Sequence, residues 1–423
     1  MATLPWDSIV GILTRLPVKD LLRYRCVSKP WCSLIDGPDF IKMHLNHSVG
    51  TSSNLSLIRG YRVLHSVDLD TLDSAVRLTP PINVGNEIKI LGCCNGLVAL
   101  ANSSGVMALW NPSTRKHKKV PVSDPNYEVP FGVFDSEMVG FGYDPLNDDY
   151  KLLRVIHYIR IDSDSFQSEV KVYSLKSNTW KRVGDFPYQG YKKYGIGVFA
   201  SNSLHWMVAR DHQYQPSFSI AAFDLVTEEY RKISLPDKKV SWDDKFYTKL
   251  AELGGWLCVV SIYVDDEKAE ASNYVDIWVM KQYGVKESWT KLFSVAPSYV
   301  TGSFEYAMPL AYLKSAHQVV LDQDGHKFLL YDLERKRAKS VRKITGLSKC
   351  FDTFVYVRSL VGLGGGDGDN NGKKAGENGN KRKKQNQRVS GQKRLILEGF
   401  CWATEDVDVV FAGKGIRLRA RNL

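Results

Sequence analysis

Residues 108–121 read ALWNPSTRKHKKVP and residues 171–183 read KVYSLKSNTWKRV. In each, an apolar strand ends on an aromatic side chain, Trp110 or Tyr173. A polar turn follows, and a second strand opens with basic residues. The unit recurs as SVDLDTLDSAVRL around Val67, AAFDLVTEEYRKISLP around Phe223, VDIWVMKQYGVKESWTKLF around Trp278 and LLYDLERKRAKSV around Tyr331. Counted between those marker residues, successive copies lie 43, 63, 50, 55 and 53 residues apart. Hairpins repeating about every 50 residues are the signature of a kelch-like propeller, each unit being one four-stranded blade. Six copies predict about six blades between residues 46 and 363. Glycine-bearing strand and turn signals such as CCNGLVAL, VGFGYDP and LGGWLCVV accompany them, and almost no helical periodicity interrupts them, so this body reads as all-β. Trp110, Trp180, Trp206 and Trp278 are read as blade packing, because large aromatics fill cores more often than sites.

Residues 4–45 read differently. Ile9, Ile12, Leu13 and Leu16 fall at i, i+3, i+4 and i+7, the spacing of one helical face, with Pro5 and Asp7 suited to a first turn and Pro17 ending the helix. Val18, Leu21, Leu22 and Cys26 repeat the pattern. Ser28 as N-cap, Pro30, Trp31, Leu34 and Ile35 predict a third short helix. Three helices in about 40 residues need a metal, disulfides or a partner to complete a core. Cys26, Cys32, His44 and His47 are spaced C-x₅-C-x₁₁-H-x₂-H, outside the finger windows, so no metal site is expected. A partner is left, with surplus apolar surface as its interface.

Leu4-Pro5, Ile12-Leu13, Arg15-Leu16-Pro17, Lys19, Leu21, Arg25-Cys26-Val27-Ser28-Lys29, Trp31, Leu34-Ile35, Pro38, Phe40 and His44-Leu45 together resemble the plant F-box motif. Ser8 departs from it, standing where the family usually carries Leu or Ile. From Leu91 to Phe293, LGCCNGLVAL, LWNPSTRKHKKVP, VGFGYDPLNDDYKLLRV, GVFASNSLHW and DIWVMKQYGVKESWTKLF resemble, in order, the plant F-box-associated domain. The wording is nearest the constitutive-expresser-of-pathogenesis-related-genes type; pollen S-locus F-box proteins share the architecture. The resemblance implies a substrate receptor of an SCF ubiquitin ligase. It implies a Skp adaptor bound by Leu4, Pro5, Ile9, Ile12, Leu13, Leu16, Pro17, Leu21, Leu22, Val27, Trp31 and Leu34, with a cullin and a RING protein reached through that adaptor. A protein substrate would sit on the propeller, an NLR immune receptor for the first type.

The expected fold class is α+β multidomain: an F-box over 1–45, then an all-β propeller over 46–363, a basic segment over 364–394 and a C-terminal stretch over 395–423. Of the net charge of +11 over 423 residues, +6 falls in 364–394, where nine Lys/Arg meet three Asp/Glu with no core-forming run. That composition predicts a solvated tail. Lys381-Arg382-Lys383-Lys384 within it fits an import signal or a nucleic-acid patch, and a cytoplasmic and nuclear location is expected. Nucleic acid is the weaker reading, since the aromatics sit in strand patterns rather than in a basic stripe. No apolar run reaches the roughly 18 residues of a membrane span. Seven cysteines without a C-x-x-C pair fit free buried thiols.

No G-x-S-x-G, H-E-x-x-H or G-x-x-x-x-G-K-[ST] occurs, His157 and His205 read as structural histidines, and no catalytic residue or cofactor is expected. Ligand binding by the propeller without a ligase role is the competing reading. Loops over 124–136, 161–168, 188–194, 211–217 and 265–273 are the expected substrate contacts, because rigid scaffolds carry recognition on loops.

Overall fold

The computed structural model describes residues 5–364 apart from 61, 83–86, 124–131, 161–165, 191–193, 211–216, 238–244, 265–272, 314–316, 343 and 348–351. Leu4, Cys350, Cys401, the basic segment beyond Gly364 and residues 395–423 lie outside the described residues, as does part of each of the five expected substrate loops.

Four helices open the chain: α1 (Trp6–Leu13), α2 (Val18–Tyr24), α3 (Lys29–Ile35) and α4 (Pro38–Gly50). The first three lie where three helices are expected, although α1 ends at Leu13, short of Leu16, and α2 at Tyr24, short of Cys26; α4 is a fourth that continues through residue 45 to Gly50. Pro38 opens it and it ends at Thr51. Six antiparallel sheets follow. Blade 1 is made of strands Ile88–Cys94, Leu97–Asn102, Met107–Trp110 and His117–Lys119. Blades 2 to 5 span 132–182, 189–233, 245–295 and 307–340, and Tyr194–Ile196 also pairs in parallel with the inner strand of blade 2. Blade 6 is closed by two distant parts of the chain, strand Thr353–Val357 pairing with strand Leu55–Arg59.

The repeated aromatic-turn unit has a local cause. Asn111, Asp144, Asp224 and Asp332 each follow the aromatic that ends a strand. Each accepts, through Oδ1, hydrogen bonds from the amides two and three residues on: Ser113 and Thr114, Leu146 and Asn147, Val226 and Thr227, Glu334 and Arg335. The side chain thereby completes a turn that the backbone alone would leave open. The fourth residue after the acceptor takes a left-handed conformation in every case, at Arg115, Asp148, Glu228 and Lys336. The following strand is thus launched back along the preceding one.

The aromatics preceding those turns pack between blades. Trp110 and Trp206 are buried, whereas Trp180 and Trp278 are half-buried against neighbouring cores, and Trp180 donates from Nε1 to the Pro121 carbonyl across the blade 1–blade 2 boundary at 2.7 Å. His157 and His205 are both fully buried. His157 meets Ser136 Oγ at 2.9 Å through Nδ1, and His205 bridges the Val198 carbonyl at 3.0 Å and the Tyr283 hydroxyl at 2.8 Å. The second arrangement fixes the neutral tautomer, with Nδ1–H donating to the carbonyl and Nε2 accepting from the tyrosine. The described cysteines are free, and Cys94 and Cys258 are buried as expected. Three others correct that expectation: Cys26, beyond the last turn of α2, is exposed, and Cys32 and Cys93 are half-buried.

Antiparallel pairing divides the connections between two faces. First-to-second and third-to-fourth strand turns lie on one face, and second-to-third and blade-to-blade connections on the other. The helices meet the first face, because α4 leads into the start of strand Leu55–Arg59, where the Arg358 amide donates to the Asn54 carbonyl at 2.7 Å. The strands bordering all five expected substrate loops end on the opposite face.

Candidate adaptor-binding surface

The helical module has its own small core. Leu13, Val18, Leu21, Ile35 and Phe40 are buried together, with Ile9, Leu16, Leu22, Trp31 and Leu34 half-buried around them. Burying each large aliphatic is worth ~1.5–3 kcal/mol, which is modest support for four helices. Polar contacts finish the geometry. Ser28 caps α3 by accepting from the Trp31 amide at 3.3 Å, as its sequence position predicts. Arg25, past the end of α2, pairs with Asp36 at the end of α3 at 2.7 Å, and that hydrogen bond holds the guanidinium above its ordinary pKa. His44, fully buried in α4, donates from Nε2 to the Leu16 carbonyl at 2.9 Å, so the loop between α1 and α2 is tied to α4. Burial lowers the His44 pKa and keeps the ring neutral.

The expected adaptor residues therefore fall into three groups. Ile12 and Val27 stand out from the surface, at 50% and 60% exposure, and Pro5 and Pro17 are exposed as well. Ile9, Leu16, Leu22, Trp31 and Leu34 are half-buried, with Trp31 set edge-on to Tyr24 at 5.9 Å. Leu13 and Leu21 are interior, at 2% and 0%, and shape the surface from beneath. Leu4 is outside the described residues. Trp6, Tyr24 and Met43 are further exposed apolar side chains that spacing arguments pass over. Ser8 is exposed on α1. Outward-facing aliphatic and aromatic groups on a module this small are the chemistry expected of a contact surface.

What distinguishes this module is its seat. Leu360, beyond the closing strand of blade 6, is buried in the helical core, whereas Val361 and Leu363 are buried in the propeller core together with Leu45 of α4. The buried Asn111 side chain fixes this strap: Nδ2 donates to the carbonyls of Ser359 at 3.1 Å and Val361 at 2.9 Å. Gly96 makes room for it. A Cβ there would come within 2.1 Å of Ser359 Oγ and 2.6 Å of the Val357 carbonyl, and the residue also has φ +87°.

Among the described residues no group of three or more His, Cys, Asp or Glu is placed to hold a metal ion, and no helix is long and apolar enough to cross a membrane. A cavity of about 460 Å³ lies between blades 2 and 3, on the face that carries the helices. Its charges are mutually compensated: Lys151 pairs with Asp144 at 2.8 Å and Glu228 at 3.1 Å, and Lys181 with Glu228 at 2.7 Å.

Comparison with known proteins agrees with this division. Residues 1–43 match the F-box domain family, and residues 55–363 match the F-box associated beta propeller domain family. The chain is similar to F-box protein CPR1 of Arabidopsis thaliana, at 37% identity over 379 residues covering 85% of this chain and 89% of that protein. A second F-box protein of Arabidopsis thaliana is 30% identical over 379 residues, covering 85% and 90%. Among solved structures, an oligogalacturonate lyase in complex with manganese aligns over 68% of this chain and 78% of that chain with a TM-score of 0.36 at 10% identity, too distant to bear on function. The helical module on its propeller, and the family matches that cover both, identify the chain as a member of the F-box proteins with an F-box-associated β-propeller domain.

Proposed function

We propose that this protein is the substrate-recognition subunit of an SCF-type ubiquitin ligase. In this reading the outward apolar surface of the helices docks a Skp-type adaptor, and through it a cullin and a RING protein, while the propeller holds the target. The receptor contributes proximity rather than chemistry, raising the effective concentration of target lysines at the conjugating enzyme. One observation carries the reading: the helical module presents Ile12 and Val27 outward while the 359–363 strap seats it in the propeller core. A surface made to be covered is thus held in a fixed relation to a recognition scaffold. The face opposite the helices is the proposed substrate side, since the strands bordering the expected recognition loops end there.

The test is capture of a Skp-type adaptor by the full chain and by Ile12→Lys combined with Val27→Lys. Both positions are exposed, so the variant should fold; it should lose the adaptor. Undiminished capture would sink the assignment of the surface. Leu16 and Trp31 are poorer probes because both are half-buried in the helical core.

For the target, the motif resemblance supports an NLR immune receptor. Proximity labelling with and without residues 1–45 should show such a receptor accumulating on the truncated chain. A saturable small ligand together with no adaptor would favour the competing propeller reading.

A further inference from the structure

The outer strands of the propeller are basic throughout, and most of those cations are used inside the fold. Lys181 and Arg182 of blade 2 pair with Glu228 and Asp185, Arg231 of blade 3 with Asp224, and Lys291 of blade 4 with Asp276. Blade 5 differs. Its last strand, Arg337–Ser340, is flanked by Lys336 and Arg342, and Lys336, Arg337, Lys339 and Arg342 are all exposed with no ion pair among the described residues. The nearby acids are already engaged, Asp332 with Arg335 at 3.3 Å and Glu334 with His317 at 3.0 Å.

Edge lysines commonly guard a sheet against unwanted pairing. One or two free cations per edge serve that purpose; blade 1 carries Arg115, Lys116, Lys118 and Lys119, of which Lys118 is half-buried and donates to the Leu175 carbonyl at 3.3 Å. Four uncompensated cations within seven residues exceed it and create a local positive field.

The same strand has a free backbone edge. Its order in the sheet is terminal, and it pairs with strand Lys327–Asp332 alone. The Val341 amide donates inward to the Phe328 carbonyl at 2.9 Å. By antiparallel alternation, Arg337 and Lys339 also bond inward, and the amide and carbonyl groups of Ala338 and Ser340 point outward. Unspent donors and acceptors thus run between side chains of one sign. No exposed large aromatic lies on blade 5 among the described residues, so the stacking platform that single-stranded nucleic acid needs is missing.

We infer that the outer edge of blade 5 docks an acidic, extended segment of a partner protein. The segment adds a strand beside Arg337–Ser340, its carboxylates meeting Lys336, Arg337, Lys339 and Arg342. This inference does not depend on the adaptor reading.

Fluorescence anisotropy of the full chain with a labelled oligoglutamate peptide tests it. Replacing the four cations by Ala should weaken binding about tenfold or more, from the summed worth of exposed ion pairs. Arg115→Ala with Lys119→Ala on blade 1 should leave binding nearly unchanged, which separates this edge from the general positive charge of the chain. Ser340→Pro removes an outward amide that the sheet does not use together with the hydroxyl that donates to the Val341 carbonyl at 3.2 Å; compared with Ser340→Ala, which loses the hydroxyl alone, it should weaken the peptide without changing the unfolding transition. The inference is overturned if the four-alanine variant binds like the parent or if Ser340→Pro has no effect. It is likewise overturned if a single-stranded oligonucleotide binds this edge more tightly than the peptide does.

Discussion

Asn111→Ala is the substitution through which the joining of the two modules is most directly tested. The parent side chain is fully buried and makes four hydrogen bonds, donating to the Ser359 and Val361 carbonyls and accepting from the Ser113 and Thr114 amides. Alanine leaves two carbonyls in the strap without their donor, each costing ~1–3 kcal/mol because neither reaches water readily. Loss of the two turn bonds adds ~1 kcal/mol each at most. The sum is ~2–8 kcal/mol, a large share of the 5–15 kcal/mol that usually holds a domain together. Equilibrium urea unfolding followed by tryptophan fluorescence should show a midpoint lower by about 1 M or more. Asn111→Asp should be worse, since it retains the acceptor but sets a carboxylate against two carbonyl oxygens. An unchanged midpoint for Asn111→Ala would refute the role assigned to the strap.

Three further outcomes are expected. Burial drives the pKa values of His157 and His205 down from 6.5 to about 4, so the unfolded chain binds protons more readily than the fold does. Stability is then complete above pH 6.5 and declines as pH falls from there toward about 4. The decline is worth about 2 kcal/mol per histidine at pH 5, and thermal melts at pH 7 and pH 5 should show it smaller in His205→Gln than in the parent. At Gly142 an added Cβ would lie 2.4 Å from the Phe199 ring and 2.6 Å from Leu225 Cδ1; Gly142→Ala should destabilise by ~1–3 kcal/mol through overpacking, measured by urea unfolding. Leu360→Ala, in a helical core that the strap and the last turns of α4 join to the propeller, should cost ~2–5 kcal/mol. It should also lower adaptor capture, and an unaffected capture would show that the helices hold their shape without Leu360.

The blades were legible because their cause is local. An aromatic, an Asx side chain that closes the turn and a residue tolerating positive φ recur within a few positions, and each copy says the same thing. The first three helices were legible for the same reason, through i, i+3, i+4 spacing and the Ser28 cap. The helix α4 carries no such stripe: His44 and Ser48 are buried polar residues whose partners, the Leu16 carbonyl and Asn54, lie elsewhere in the chain. Periodicity likewise placed Ile12 and Leu13 on one apolar face without telling which turns inward. Packing against Phe40 and Ile35 decides that Leu13 does. The strap over 358–363 has no pattern at all, since its meaning comes from Asn111, some 250 residues earlier.

That long-range contact bears on how a receptor of this kind would work. A helical module on a flexible linker would sweep a bound target through many positions and dilute its effective concentration near the conjugating enzyme. Here the last turns of α4 and the strap bury apolar side chains in both cores, so the module and blade 6 share one piece of structure. Blade 6 itself exists only when strand Thr353–Val357 has found strand Leu55–Arg59, which closes the propeller. Closure of the ring and completion of the helical core are therefore one event. A chain whose propeller has not closed would lack Leu360 in its helices and, under the proposed function, would present an adaptor with an unfinished surface. The same strap would then disfavour recruitment of a receptor that has no intact face with which to hold a target.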